Sequence, residues 1–186
     1  FFKKVARYDT LRLILCKKSI LVEGDSDELV VQRAYMDTHE GRLPIQDGID
    51  VMTVRGVTFK RYLEIARILN KETAVVTDND GNIEAVKKKY KEYEKIPFIH
   101  ICVDEVVDTG DLKLSGKDFN YNTLEPKILK ENGLEVMNNI FGTKYDTDDE
   151  MHKYMHAHKT DCAIAIFESA TKIKYPEYIM RALKNE

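Results

Sequence analysis

Apolar runs of strand length alternate with segments of helical spacing through the first hundred residues. Ser19-Ile20-Leu21-Val22 is a short apolar run that breaks into Glu23-Gly24-Asp25-Ser26-Asp27, the pattern of a buried strand ending in a loop. Leu29, Val30, Arg33, Ala34 and Tyr35 then recur at helical spacing, with Ser26 or Asp25 placed to cap the helix. The unit repeats. Asp50-Val51-Met52-Thr53-Val54 reads as a second strand, Arg55-Gly56 as a turn, and Phe59, Tyr62, Leu63, Ile65, Ala66 and Leu69 as one apolar helix face. Thr73-Ala74-Val75-Val76-Thr77 is a third strand, closed by Asp78-Asn79-Asp80-Gly81-Asn82 and followed by a lysine-rich helix from about Ile83 to Tyr93. Phe98 to Val103 is a fourth. Strands separated by helices predict right-handed crossovers, so the fold class is α/β with a mainly parallel, Rossmann-like sheet flanked by helices.

Past residue 104 the pattern loosens. Residues 104–122 are polar, Leu124 to Lys130 has helical spacing, and 142–150 reads as an acidic loop. One helix carries Met151, Tyr154 and Met155, and Cys162 to Phe167 belongs to another that follows Lys159-Thr160-Asp161. This predicts a helical C-terminal addition to the α/β core. Residues 1–18 mix apolar and basic positions without a clean period and read as a lead-in connector to a domain spanning 19–186.

At 186 residues the chain is one domain's worth of sequence. Its 43% hydrophobic and 33% charged residues exclude a disordered tail, and no apolar stretch is long enough to span a membrane. The net charge of -3 lacks the basic excess of many nucleic-acid binders, although a site that loads cations on its own carboxylates is acidic when empty. Cys16, Cys102 and Cys162 form no close pair, which fits a reducing cytoplasm rather than a disulfide framework. The chain opens on Phe1-Phe2-Lys3-Lys4, as a piece of a longer protein would.

In an open α/β sheet, ligands bind beyond the carboxyl ends of the strands. Glu23 and Asp78 follow two strands directly, and Asp27 and Asp80 can turn toward the same crevice. Carboxylates crowded into a small volume repel one another, and hard divalent cations relieve that repulsion better than protonation does. A lone Asp after a strand is more often a helix cap, the role assigned to Asp25. A calcium loop counted from Asp78 fails, because Ile83 and Lys89 stand where Gly and Glu are required. A phosphatase with Asp78 as nucleophile stays open, though it leaves Glu23 and Asp27 unexplained. His152 and His156 share a helix face, but the rest of a zinc set is missing.

The ordered set Leu21-Val22-Glu23-Gly24-Asp25-Ser26-Asp27, Val54-Arg55-Gly56 with Phe59-Lys60-Arg61-Tyr62, Asp78-Asn79-Asp80, Tyr121-Asn122-Thr123-Leu124-Glu125-Pro126 and His158-Lys159-Thr160-Asp161-Cys162-Ala163 resembles the Toprim nucleases of the OLD (overcoming lysogenization defect) family. The similarity runs from about residue 19 to 170. It implies a metal-dependent DNA endonuclease working with two Mg²⁺ or Mn²⁺ ions, which together can serve both ends of an in-line displacement. The resemblance implies that Glu23 and Asp27 hold one ion with Asp78 shared or adjacent, and that Asp80, Glu125 and Thr123 complete the other. It places Lys159 beside the scissile phosphate as a catalytic residue with Glu23. Without it, Lys159 would read as one more solvated lysine. It further implies an upstream ABC-type ATPase domain that brings ATP into play, a homo-oligomer, and an antiphage parent like the nuclease subunit of the Gabija system, with a helicase subunit as partner. Lys60, Arg61, Lys87, Lys88 and His158 are candidates to track the backbone of double-stranded DNA, against the plainer reading of a solvated charged face. A non-catalytic Toprim scaffold is the third reading.

Overall fold

The computed structural model describes residues 8–54 and 59–184. The Arg55-Gly56 turn and the first residues of the connector lie outside them. Helix α1 (Tyr8–Leu15) leads into strand β1 (Lys18–Val22), helix α2 (Asp25–Thr38), strand β2 (Ile49–Thr53), helix α3 (Phe59–Leu69), strand β3 (Glu72–Val76), helix α4 (Ile83–Tyr90) and strand β4 (Ile99–Cys102). The four strands pair in parallel in the order β2-β1-β3-β4. The chain therefore leaves β1 in one direction to β2 and returns on its other side to β3. Such a change of direction opens a crevice at the carboxyl ends of the two strands that flank it, here β1 and β3.

Both faces of the sheet are covered, as the apolar character of the strands requires. Alternate residues serve opposite faces. Ile20, Val22, Val51, Ala74 and Val76 pack beneath α2 and the C-terminal helices, while Leu21, Met52 and Val75 pack with Leu13, Phe59, Leu63 and Tyr90. Ile20, Leu21 and Val22 are 0% exposed. Each such burial stabilises by about 1.5–3 kcal/mol, so a polar residue at Leu21 would remove a central piece of the second layer.

After β4 the chain forms a small antiparallel hairpin, β5 (Lys113–Leu114) and β6 (Lys117–Asp118), within the polar stretch 104–122. Its turn, Ser115-Gly116, has φ of 55° and 77°, the paired left-handed conformation that a tight hairpin favours. Helices α5 (Leu124–Asn132), α6 (Leu134–Phe141), α7 (Asp148–Ala157), α8 (Lys159–Glu168) and α9 (Glu177–Leu183) complete the described chain. This is the expected helical C-terminal part, but it is not an appendage: Met137, Met151, Cys162 and Tyr178 join the same core as β1 and β3.

Three local expectations are corrected. Neither Ser26 nor Asp25 caps α2; Gly24 holds that place, and the Asp27 carboxylate accepts its backbone N–H at 2.9 Å. Asp148, Asp149 and Glu150 form the first turn of α7, where the helix dipole favours them, with Thr147 as the cap. The lysine-rich helix ends at Tyr90 and a 3-10 turn continues to Tyr93.

Candidate active site

Glu23, Asp27, Asp78, Asp80, Thr123, Glu125 and Lys159 line one cavity of about 310 Å³ at the carboxyl ends of β1 and β3. Glu23 follows β1, and Thr77, just past β3, donates its hydroxyl to Glu23 Oε1 at 2.6 Å. Asp27 is turned toward the end of β1 by its bond to Gly24. Asp78 lies deep in the cavity, its Oδ2 accepting from the N–H of Leu124 at 3.1 Å and its Oδ1 from the Tyr178 hydroxyl at 3.1 Å.

The loop Asp78-Asn79-Asp80 works by alternation. Asn79 is fully buried and points away from the cavity, donating to the carbonyls of Asp104 and Val106 at 2.9 and 3.0 Å and accepting from Gly81 N–H at 2.9 Å. Its two neighbours are thereby turned the other way. Asp80 adopts φ of 47°, a left-handed conformation that Asp tolerates better than most residues.

Glu125 occupies the first turn of α5 and is buried, with Oε1 2.9 Å from the Lys159 ammonium. Lys159 begins α8, and the far end of α8 is tied to α2 by Arg33. That buried guanidinium donates to the carbonyls of Ile166 at 3.1 Å, Phe167 at 2.9 Å and Ser169, and pairs with Asp37 at 3.0 Å. A cation on the last carbonyls of a helix also suits its dipole.

Charge crowding shows in the acidities. Burial pushes Asp27 up to about 6, and the neighbouring Glu125 and Glu23 add to it against the Gly24 N–H and Lys159. Asp78 is held well above the ordinary carboxylate range by burial first, then by Asp27 and Glu125. Asp80 is raised by burial and Glu23, with Lys89 and Lys159 opposing. Burial and the carboxylates raise Tyr178 far above its ordinary value, so it stays a donor.

The donors around the cavity are all oxygens, the set that suits hard divalent cations. The Thr123 hydroxyl oxygen is buried without a hydrogen-bond partner, a cost that a ligand at the cavity would remove. Among the described residues, however, no three His, Cys, Asp or Glu side chains are drawn together into a finished metal cage. The fit is one of donor chemistry and crowded negative charge, with the carboxylates ringing a cavity rather than closing on a point.

The remaining sequence candidates stand apart from the cavity. Lys60 pairs with Glu92 at 2.9 Å, Lys87 lies 3.7 Å from Glu84, and Arg61 and Lys88 are exposed. His158 packs against Tyr154 in a tilted arrangement with ring centroids 4.9 Å apart. On the lysine-rich helix it is Lys89 that acts on Asp80, its ammonium lying over the rings of Phe59 and Tyr90 at 5.4 and 5.0 Å. His152 is fully buried against Phe119. Asp104 and Asp108 pair with Lys127 and Lys130 beside a different cavity. No helix is long and apolar enough to cross a membrane among the described residues.

Residues 14–80 match the family model described as the Toprim domain of overcoming-lysogenization-defect-protein-like proteins. Among solved structures, the C-terminal region of the Xanthomonas campestris pv. campestris OLD protein superposes with a TM-score of 0.60 at 19% identity, covering 92% of this chain and 92% of that one. The C-terminal region of the Burkholderia pseudomallei OLD protein gives 0.59 at 17% identity, covering 90% of this chain and 95% of that one. These likenesses establish a shared fold. No curated protein sequence matches.

Proposed function

From a chain whose residues 14–80 match an OLD-like Toprim family model, we propose a divalent-metal-dependent endonuclease that hydrolyses phosphodiester bonds in double-stranded DNA. What supports this reading above all is the convergence of Glu23, Asp27, Asp78, Asp80 and Glu125 on one cavity that Lys159 also lines. Glu23 and Asp27, with Asp78 shared, would hold one Mg²⁺ or Mn²⁺ ion; Asp80, Glu125 and Thr123 would hold the other. Bound there, the ions would supply an activated water and positive charge opposite the leaving oxygen.

The chain's own groups do the rest. Thr77 orients Glu23, the Gly24 N–H orients Asp27, and two donors orient Asp78. The Lys159 ammonium offsets charge that builds on the transferring phosphate. Lys89, with Lys60, Arg61, Lys87, Lys88 and His158 farther out, would meet the DNA backbone. An aspartyl-nucleophile phosphatase is less well served: both oxygens of Asp78 accept hydrogen bonds that fix the group as a holder. An upstream ABC-type ATPase domain, a homo-oligomer and a helicase partner subunit in antiphage defence belong to the same proposal.

The experiment is conversion of supercoiled plasmid by the purified chain with Mg²⁺ or Mn²⁺. The expected result is nicking or linearisation that stops with a chelator and is absent in Asp78→Ala and Glu23→Ala. Cutting that survives either substitution would defeat the proposal.

A further inference from the structure

Tyr178 reaches the site from α9, the last helix of the described chain, one hundred residues beyond its partner. Its side chain is 3% exposed and its hydroxyl donates to Asp78 Oδ1 at 3.1 Å. The other oxygen of the same carboxylate accepts from Leu124 N–H at 3.1 Å. Two donors on two different helices therefore fix both the rotamer and the plane of Asp78. The donor is itself anchored: Ile179, Ala182 and Leu183 are buried in the core, and the Arg181 guanidinium donates to the Val103 carbonyl, just past β4, at 2.5 Å.

We propose that Tyr178 is a positioning residue for Asp78, holding the carboxylate so that its remaining lone pairs face the cavity and a divalent cation there. This deepens the metal-centre reading and rests on it. The physical basis is general. A carboxylate oxygen has two lone-pair sites, so a donor on one leaves the other for a cation. A carboxylate already held in its binding rotamer loses little conformational freedom when it coordinates. Partners of this kind behind a metal ligand are typically worth about 10–100-fold in affinity. The assignment also gives α9 a part in the site through Asp78, although none of its residues lines the cavity itself.

The test is calorimetric titration of metal-free protein with Mn²⁺ for wild type, Tyr178→Phe, Asp78→Asn and the double variant, each checked for folding by circular dichroism. Phenylalanine keeps the ring and deletes only the hydroxyl. Tyr178→Phe should bind Mn²⁺ about tenfold or more weakly, and should add no further loss in the Asp78→Asn background. Equal affinity in wild type and Tyr178→Phe would overturn the proposal. So would an equal loss in both backgrounds, which would mean that the hydroxyl acts on the fold and not through Asp78. A Tyr178→Phe chain that fails to fold would overturn it too, because the proposal assigns the ring to the core and the hydroxyl to the site. Absence of Mn²⁺ binding by wild type is a different failure: it removes the metal centre itself, and the positioning role with it.

Discussion

The ammonium of Lys159 lies 2.9 Å from Oε1 of Glu125, so the basic residue lining the cavity is paired with one of the carboxylates proposed to hold metal. A cation held beside Glu125, as proposed, would compete with that ammonium and would leave it free to turn toward a phosphate. Metal loading and the release of Lys159 would then be one event.

Lys159→Ala should separate the two roles. With the competing ammonium gone, Mn²⁺ affinity should be equal to or a few-fold above wild type, while cleavage falls by about 100-fold or more, the scale of losing one preorganised charge at a transition state. Calorimetry and a plasmid assay read the two quantities. A large loss of metal affinity would mean that Lys159 helps to build the metal site.

The metal-free protein should carry an unusual pH dependence. A carboxyl whose folded pKa is about 6, above roughly 3.9 in the unfolded chain, binds its proton more tightly when folded. Its favourable contribution is complete below the unfolded value and is lost as pH rises through 6. Asp27→Asn removes this penalty, so its stability relative to wild type should rise between pH 4.5 and 7.5 by about 2 kcal/mol. Urea unfolding in chelator at the two pH values measures it, and a difference that does not change with pH would refute the crowded-carboxylate description. Saturating Mg²⁺ should flatten the wild-type slope.

Asn79→Ala should destabilise without touching a site residue directly. It removes both bonds that the buried Asn79 amide donates to the carbonyls of Asp104 and Val106, at about 0.5–1.5 kcal/mol for each. Cleavage should fall as well, because Asn79 sets the direction of Asp78 and Asp80. A variant as stable as wild type would show that water replaces these bonds.

Arg33→Met tests how Lys159 is placed. It leaves Asp37 and the last carbonyls of α8 without their cation, a loss of about 3–5 kcal/mol for breaking a buried pair. Thermal denaturation should show a melting temperature lower by roughly 6–20 °C at this chain length. Arg33→Lys should recover only part, since an ammonium cannot serve Asp37 and the carbonyls together as the guanidinium fork does.

The parallel sheet and the place of the crevice were legible because β1 and β3 are nearly continuous apolar runs, each closed by an acidic loop. Glu23 and Asp78 follow from that pattern alone. Glu125 and Lys159 do not: a Glu in the first turn of α5 and a Lys opening α8 look like ordinary surface residues, and only the family resemblance singled them out. Thr77 and Tyr178 were not legible at all, since their partners lie 54 and 100 residues away in the chain. On the lysine-rich helix, neighbouring lysines carry no mark of which lies nearest the site, and only the structure distinguishes Lys89 by its opposing effect on Asp80. Helix α9 is seven residues long, too short for its period to stand out.

This ring of carboxylates is proposed to act by holding divalent metal for phosphodiester cleavage. Its most direct test is the initial rate of supercoiled plasmid cleavage as a function of Mn²⁺ concentration, in wild type and Asp78→Ala. The wild-type rate should rise with an order in metal approaching two below saturation, with no cleavage above background in the variant. A rate independent of Mn²⁺, or an Asp78→Ala curve that superposes on wild type, would contradict it.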